Sequence, residues 1–281
     1  MSQYSIRRMH ESEVQIAIDW AKQEGWNPGL NDAHCFYQAD PKGFFMGFLD
    51  DVPIAVGSAV AYDEHYAFCG LYIVKKEFRK QGYGLQLTEE RLKYVGNRIT
   101  GIDGVIENIH LYEKLGYVAS HKNIRYEWLS PPSLTPSKSI VNLQSIPFSQ
   151  LEDFDLKYFL APRSNFLKCW IHPINGHALG YLEAKELNGY GVIRPCYHGY
   201  KIGPLFAKSY EIAQALFEAL CTKADGGPIY LDIPENNKEA IVLVQNYKMI
   251  PKFEVMRMYR NGIPRTNHQN GIYGITTFEL G

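Results

Sequence analysis

The run Leu71-Tyr72-Ile73-Val74-Lys75-Lys76-Glu77-Phe78-Arg79-Lys80-Gln81-Gly82-Tyr83-Gly84-Leu85 passes from an apolar strand into a basic turn with two glycines. The turn opens a helix that the pattern extends to Val95. Gly82 and Gly84 let the backbone adopt unusual torsions and approach a ligand closely. The N–H groups of such a turn, with the positive end of the helix, suit an anion such as a pyrophosphate. Lys75, Lys76, Arg79 and Lys80 add positive charge beside it. No GxxxxGK[ST] occurs, which excludes a nucleoside-triphosphate loop. A third glycine is missing, with Leu87 in its place, which argues against a dinucleotide fingerprint.

Outward from this segment, strand and helix patterns alternate. Tyr4–Arg8 reads as a strand, and Ser12 caps a helix to Glu24 with Val14, Ile16, Ala17, Ile18 and Ala21 near one face. Turn chemistry at Gly25–Gly29 separates it from a helix over Asp32–Ala39. Phe44–Leu49 and Pro53–Ala61 read as a hairpin, and Tyr66–Val74 as a third strand. After the 84–95 helix come a strand (Ile99–Val105), a helix (Asn108–Leu115) and an extended run (Val118–Trp128). Ser130–Ser139 holds three prolines and four serines and reads as a linker. It divides the chain into an N-terminal domain (1–129), the linker (130–139) and a C-terminal domain (140–281). The second half nearly repeats the order, with a hairpin expected around Asn188-Gly189 and extended runs at Val255–Tyr259 and Thr276–Leu280. Two similar halves suggest a diverged tandem duplication.

Arg79-Lys80-Gln81-Gly82-Tyr83-Gly84 resembles the acyl-CoA pyrophosphate loop (Q/R-x-x-G-x-G/A) of the GCN5-related N-acetyltransferases, the GNAT superfamily. Asn108 and Leu111-Tyr112-Glu113-Lys114-Leu115-Gly116-Tyr117 resemble its later N…YxKxGF motif. Gly25–Gly29, Asp40–Phe45, Asn123–Tyr126, Gly199–Ala207 and Gly274–Gly281 resemble a tandem subfamily in which a second GNAT-related domain follows the first, so the likeness spans essentially the whole chain. It implies an α/β fold of two GNAT-like domains, each with a mostly antiparallel mixed sheet flanked by helices.

The resemblance also implies a chemistry. Leu71, Ile73 and Val74 would lie on a splayed strand whose free backbone groups bind the pantetheine arm of acetyl-CoA. An N–H near Ile73 or Val74 would hold the thioester carbonyl. Arg79, Lys80, Gln81, Gly82, Tyr83, Gly84 and Leu85 would take the pyrophosphate. Asn108 would lie near the CoA arm or simply cap its helix, and Tyr112 would protonate the departing thiolate or serve as a core tyrosine. The acceptor amine must be neutral. For a lysine-like amine, with a pKa of about 10.4, this costs roughly 4 kcal/mol at neutral pH. Glu64 is the base this placement suggests, although it reads more readily as a solvated member of the Asp63-Glu64-His65 turn. Trp26, Asn27 and Asp32 fall where the fold places its acceptor-lining loop, or form a capped turn. Tyr72 lines the acceptor pocket or holds a water. The second domain lacks RxxGxG: Pro204 removes a donor in Tyr200–Tyr210, so no standard CoA loop is expected there. Its Arg163, Arg194 and Lys201 are structural or bind an acidic substrate group.

Composition bounds these readings. The 281 residues suit two domains, and 46 % apolar content supports ordinary cores. The net charge, 29 − 30 = −1, gives no field for nucleic acid or anionic lipid. No apolar run nears the roughly 18 residues that span a bilayer, and no signal peptide is seen. Five cysteines without a CxxC pair argue against disulfides or zinc and for a reducing, cytoplasmic setting. Nine histidines show no metal spacing, so no metal is expected. The expected function is acetyl transfer from acetyl-CoA to a primary amine, more readily of a small molecule. A protein lysine or N-terminal acetyltransferase and a non-catalytic acyl-CoA sensor are the alternatives. The acceptor and the oligomeric state are not legible.

Overall fold

A computed structural model describes residues 3–129, 139–264 and 268–281. The linker read at Ser130–Ser139 lies, apart from Ser139, outside the described residues. The first half runs β1 (Tyr4–Arg8), α1 (Glu11–Gln23), α2 (Asp32–Ala39), β2 (Phe44–Leu49), β3 (Val52–Ala61), β4 (Tyr66–Val74), α3 (Tyr83–Val95), β5 (Ile99–Val105), α4 (Ile109–Lys114) and β6 (Val118–Trp128). The second runs β7 (Ile140–Asn142), α5 (Phe148–Asp155), α6 (Ser164–Trp170), β8 (His177–Glu183), β9 (Glu186–Pro195), β10 (Tyr200–Ala207), α7 (Tyr210–Cys221), β11 (Ile229–Pro234), α8 (Lys238–Asn246), β12 (Ile250–Arg260) and β13 (Ile272–Gly274).

Local chemistry explains most of these elements. α1 buries Val14, Ala17, Ile18 and Ala21, a stripe at helical spacing. α7 does the same with Ala213, Leu216, Phe217 and Leu220. The Asn237 side chain caps α8 by accepting from the N–H groups of Glu239 and Ala240. β3 and β4 are nearly continuous apolar runs because helices cover both of their faces.

Two expectations are corrected. The hairpin turn falls at Ala184-Lys185, both with positive φ, and Asn188-Gly189 lies inside β9. Gly189 is there because a Cβ would come within 2.7 Å of Ile212 and 2.8 Å of Leu216 on α7. The extended segment near the C-terminus is Ile272–Gly274, whereas Thr276–Leu280 turns back on itself, with the Thr277 hydroxyl accepting from the N–H groups of Glu279 and Leu280.

The described strands form one sheet in the order β1-β2-β3-β4-β5-β12-β6-β11-β10-β9-β8-β7, with β13 paired to β10. β12, late in the chain, inserts between β5 and β6, antiparallel to both. β6, from the first half, pairs antiparallel with β11. Each half therefore completes the other's sheet, and a cut of the chain at the linker does not divide the sheet.

Further ties join the halves. Asp32 of α2 forks with Arg194 of β9 at 2.7 and 3.1 Å. Gly29 bridges to Cys196. Cys35 of α2 is disulfide-bonded to Cys169 of α6, 134 residues away. This corrects the cysteine reading. The partners lie on different helices in different halves, so their spacing carried no signal, and the cysteine count carries no weight for a reducing compartment.

Candidate active site

β4 and β5 pair in parallel from Tyr66↔Ile99 to Cys69↔Ile102 and no further, although β4 continues to Val74 and β5 to Val105. From Gly70 onward the two strands part into a wedge. On its other edge β4 stays paired with β3, but Leu71 and Tyr72 together face the single residue Gly57. This is a β-bulge, with Leu71 at φ +45°. Arg91 of α3 pins it, donating to the Ser58 carbonyl at 2.8 Å and the Gly70 carbonyl at 3.2 Å. The Ser58 hydroxyl accepts from the Gly70 N–H. Arg91 was missed in the sequence. It occupies the apolar stripe Leu87, Arg91, Val95 of α3, and a buried arginine at i+4 spacing was the available signal.

The ladder also selects a backbone group. Lys75 N–H donates to the Ile54 carbonyl of β3. Alternation along an antiparallel ladder then turns the Val74 N–H and C=O away from β3, toward the wedge. The Val74 carbonyl accepts from Arg79 Nε at 2.7 Å, and Arg79 also pairs with Glu24 of α1. Beyond Arg79, Lys80 (φ +62°) and Gly82 (φ +88°) reverse the chain, and Gln81 donates to the Glu77 carbonyl. The first bonds of α3 run from Leu85 and Gln86 to the Gly82 carbonyl. The earlier N–H groups of this turn therefore have no intrahelical acceptor. A Cβ on Gly84 would fall 2.1 Å from the Tyr72 hydroxyl. Leu71, Ile73 and Val74 are buried, while Leu85 is exposed.

Tyr112 lies on the facing wall, its ring against Gly104 of β5, where a Cβ would fall 2.4 Å away. Asn108, Arg91 and Tyr72 all act on its hydroxyl electrostatically, so the loop strand, α3 and α4 converge here. Burial pushes the Tyr112 hydroxyl above its ordinary pKa, outweighing the opposing effect of Arg91. It carries its proton at neutral pH.

Other sequence candidates fall elsewhere. Glu64 is exposed in the turn before β4, at the closed end of the β4–β5 pair. At about 3.3 Å per residue it lies roughly 25 Å or more from Val74. Tyr72 faces Gly84 and the loop, and Arg91 lies over its ring at 5.4 Å. Trp26, Asn27 and Asp32 do gather in the α1–α2 loop, but their polar atoms are taken up by β6 and the second half. The Trp26 carbonyl accepts from Arg125 at 2.7 Å and Lys201 at 3.4 Å. The Asn27 amide bonds Cys196 Sγ and both the carbonyl and N–H of His198. Asp32 holds Arg194 and the Gly29 N–H. Arg163 is committed to Asp155 and Thr276.

The second half has a corresponding wedge. β10 and β11 pair in parallel only from Tyr200↔Ile229 to Ile202↔Leu231. β10 then shifts register against β9, with a cis Gly203-Pro204 bond. Here β13 fills the gap, pairing Leu205↔Gly274 and Phe206↔Ile272, while Ile275 N–H donates to the Asp232 carbonyl. Lys208-Ser209 leads directly into α7 without a glycine turn.

Comparison with known proteins agrees with this geometry. Residues 9–117 match the model of the acetyltransferase (GNAT) family, and residues 151–274 match that of an acetyltransferase (GNAT) domain. The chain belongs to the GNAT superfamily. It is a tandem GNAT acyltransferase, and GNAT domains take acetyl-CoA as co-substrate.

Among its relatives, the holothin acyltransferase of Pseudoalteromonas sp. (strain SANK 73390) is 29 % identical over 270 residues, 96 % of this chain and 92 % of that one. The N-acetyltransferase YitH of Bacillus subtilis (strain 168), itself uncharacterized, is 24 % identical over 237 residues, 82 % of each chain. A crystal structure from Pyrococcus horikoshii superimposes with TM-score 0.84 at 22 % identity, covering 99 % of this chain and 96 % of that one. A tandem GNAT protein from the clavulanic acid biosynthesis pathway does so at 0.65 and 10 %, covering 94 % and 100 %. At such identities these structures speak for the GNAT fold alone. Among the described residues, no helix is long and apolar enough to cross a membrane.

Proposed function

We propose that this GNAT protein transfers an acetyl group from acetyl-CoA to a primary amine by direct attack, and that the N-terminal wedge is its CoA site. The observation that carries this reading is the parting of β4 from β5 at Gly70, with the Val74 N–H turned into the opening. The free N–H groups of the Gly82–Gly84 turn fit a pyrophosphate; the missing side chain of Gly82 leaves open space beside the turn, and that of Gly84 lets Tyr72 pack against it. When bound, acetyl-CoA supplies the thioester carbonyl that the amine attacks.

The chain's residues then have separate tasks. The Val74 N–H donates to the carbonyl oxygen as it gains charge, a contribution of about 3 kcal/mol. Arg91 keeps the bulge, and with it that N–H, in place. Tyr112, held protonated, gives its proton to the departing thiolate. The cysteines take no covalent part: Cys69, Cys196 and Cys221 are buried, and burial raises all three thiols.

The acceptor is a small amine rather than a protein side chain. The α1–α2 loop is clamped onto the second half by Asn27 on His198, Asp32 on Arg194 and the Trp26 carbonyl on Lys201, which makes a closed junction instead of a peptide groove. The relative named for holothin acylation, similar over 96 % of this chain, supports the same choice. The β13-filled wedge is assigned no CoA.

Calorimetric titration with acetyl-CoA tests the reading. One site per chain, lost in a folded Gly82→Val variant, is expected. Two sites would overturn the division between the wedges, and no binding would leave only the fold.

A further inference from the structure

A neutral amine needs a proton acceptor, and Glu64 stands at the wrong end of β4. Three of the buried carboxylates near the wedge and the junction of the halves are already forked with arginines. Asp32 is held by Arg194, Asp232 by Arg125 at 2.7 and 2.7 Å, and Asp103 by Arg257 at 2.7 and 2.7 Å. Such bidentate pairs stabilise the ionised form and leave little capacity for a proton. Glu279 differs. It is 4 % exposed, and among the described residues no group forms a hydrogen bond or ion pair with its carboxylate. Its carboxylate oxygens are not sealed from solvent, so they can take up a proton and release it.

Its position supplies a function. After β13 fills the second wedge, the tail turns at Thr277 and crosses to the first half. The Tyr62 hydroxyl donates to the Leu280 carbonyl at 2.8 Å, and Gly281 lies against Phe68 of β4. The Glu279 backbone lies on Gly70, where a Cβ would fall 2.1 Å from the Glu279 carbonyl oxygen. Gly70 directly follows the last residue of β4 that pairs with β5. The Glu279 backbone thus sits at the apex of the open wedge. The Arg125, Arg194 and Lys201 side chains, from β6, β9 and β10 of the same sheet, act on its carboxylate electrostatically.

We propose that Glu279, carried by the tail of the second domain, is the general base for the acceptor amine. The acceptor ammonium first gives a proton to the Glu279 carboxylate, the freed lone pair bonds to the thioester carbon, and the nitrogen, now cationic and acidic, loses its next proton to water. The C–S bond then breaks, and the thiolate takes the Tyr112 proton. The products are amide and thiol; Glu279 releases its proton to solvent and Tyr112 regains one. This inference rests on the reading that the thioester lies in the N-terminal wedge.

The test compares Glu279→Gln and Glu279→Asp with the wild type, using acetyl-CoA and two probe classes. Alkylamines are mostly protonated at pH 7, and aromatic amines are neutral there. Glu279→Gln is expected to lower kcat/KM for alkylamines by about 10²-fold or more. Aromatic amines should change only a few-fold, acetyl-CoA affinity should hold, and Glu279→Asp should recover part of the loss. Equal loss for both amine classes, or loss of acetyl-CoA binding, would make Glu279 structural and overturn the proposal. Unchanged alkylamine rates would overturn it as well. Wild-type protein that binds acetyl-CoA yet acylates neither class would overturn the reaction itself, and the base with it.

Discussion

The two wedges begin alike and end differently. In each, a strand pairs in parallel with its neighbour for a few residues, breaks register on its other edge and parts from the neighbour. In the first half the break is a bulge at Leu71 pinned by Arg91, and the gap stays open beside a glycine turn. In the second the break carries Gly203-Pro204, the turn is gone, and β13 takes up the free edge of β10. Backbone hydrogen-bonding groups that a ligand can satisfy in one wedge are satisfied by the chain itself in the other. The duplicated fold thereby gains a tail anchored in one half and ending on the other.

The sharpest way to break this comparison is to fill the open wedge. Gly84→Val sets Cβ against the Tyr72 hydroxyl, which must swing away from the phosphate turn and disturb it. Acetyl-CoA affinity should fall about 10³-fold, about 4 kcal/mol, with the melting temperature little changed. Residual binding of normal strength would show that the β13-filled wedge, or another site, holds the ligand. The covalent tie comes next. Cys35–Cys169 closes a long loop across the halves, so Cys35→Ala should lower unfolding free energy by about 3 kcal/mol in chemical denaturation. A loss that persists when wild type and variant are both fully reduced would assign the effect to packing against Trp170 and its neighbours.

How much of this was legible depends on range. The 71–85 run exposed the open wedge because its turn chemistry is local: Gly82 has the positive φ that its place before α3 demands. The tail was misread because Ile272–Gly274 owes its extended form to β10, some seventy residues away. Arg91 stood in the apolar stripe of α3 without a visible partner, because the two carbonyls it holds exist only once β4 bulges. Asn27 and Asp32 were placed in the α1–α2 loop by local turn chemistry, but their partners on β9 and the following turn were beyond any window. The exchange of β6 and β12 left no local trace, because either neighbour satisfies the same apolar strand.

On the open side, Tyr112→Phe removes one hydroxyl while keeping the ring against Gly104. A drop in kcat of about 10²-fold with unchanged acetyl-CoA affinity is expected. Single-turnover thiol release separates the outcomes: equal loss of affinity would make the residue a wall of the wedge and not its acid.

The smallest effect concerns the junction between the wedges. Lys201 is buried on β10, its Nζ donating only to the Trp26 carbonyl at 3.4 Å among the described residues. Burial, reinforced by Arg125 and opposed by Glu279 and Asp232, lowers its pKa to about 8. The folded state therefore holds this proton less tightly than the unfolded chain, whose lysine titrates near about 10.4. The cost of the charge is fully present below pH 8, and it is relieved as pH rises from about 8 to about 10.4. Lys201→Met removes the charge, so it should raise stability at pH 7 by about 2 kcal/mol. That advantage should shrink across this window in urea titrations at stepped pH. A variant that is less stable than wild type at pH 7 would mean that Lys201 holds Glu279 and the Trp26 carbonyl together. The junction would then be a built ionic centre instead of a strained one.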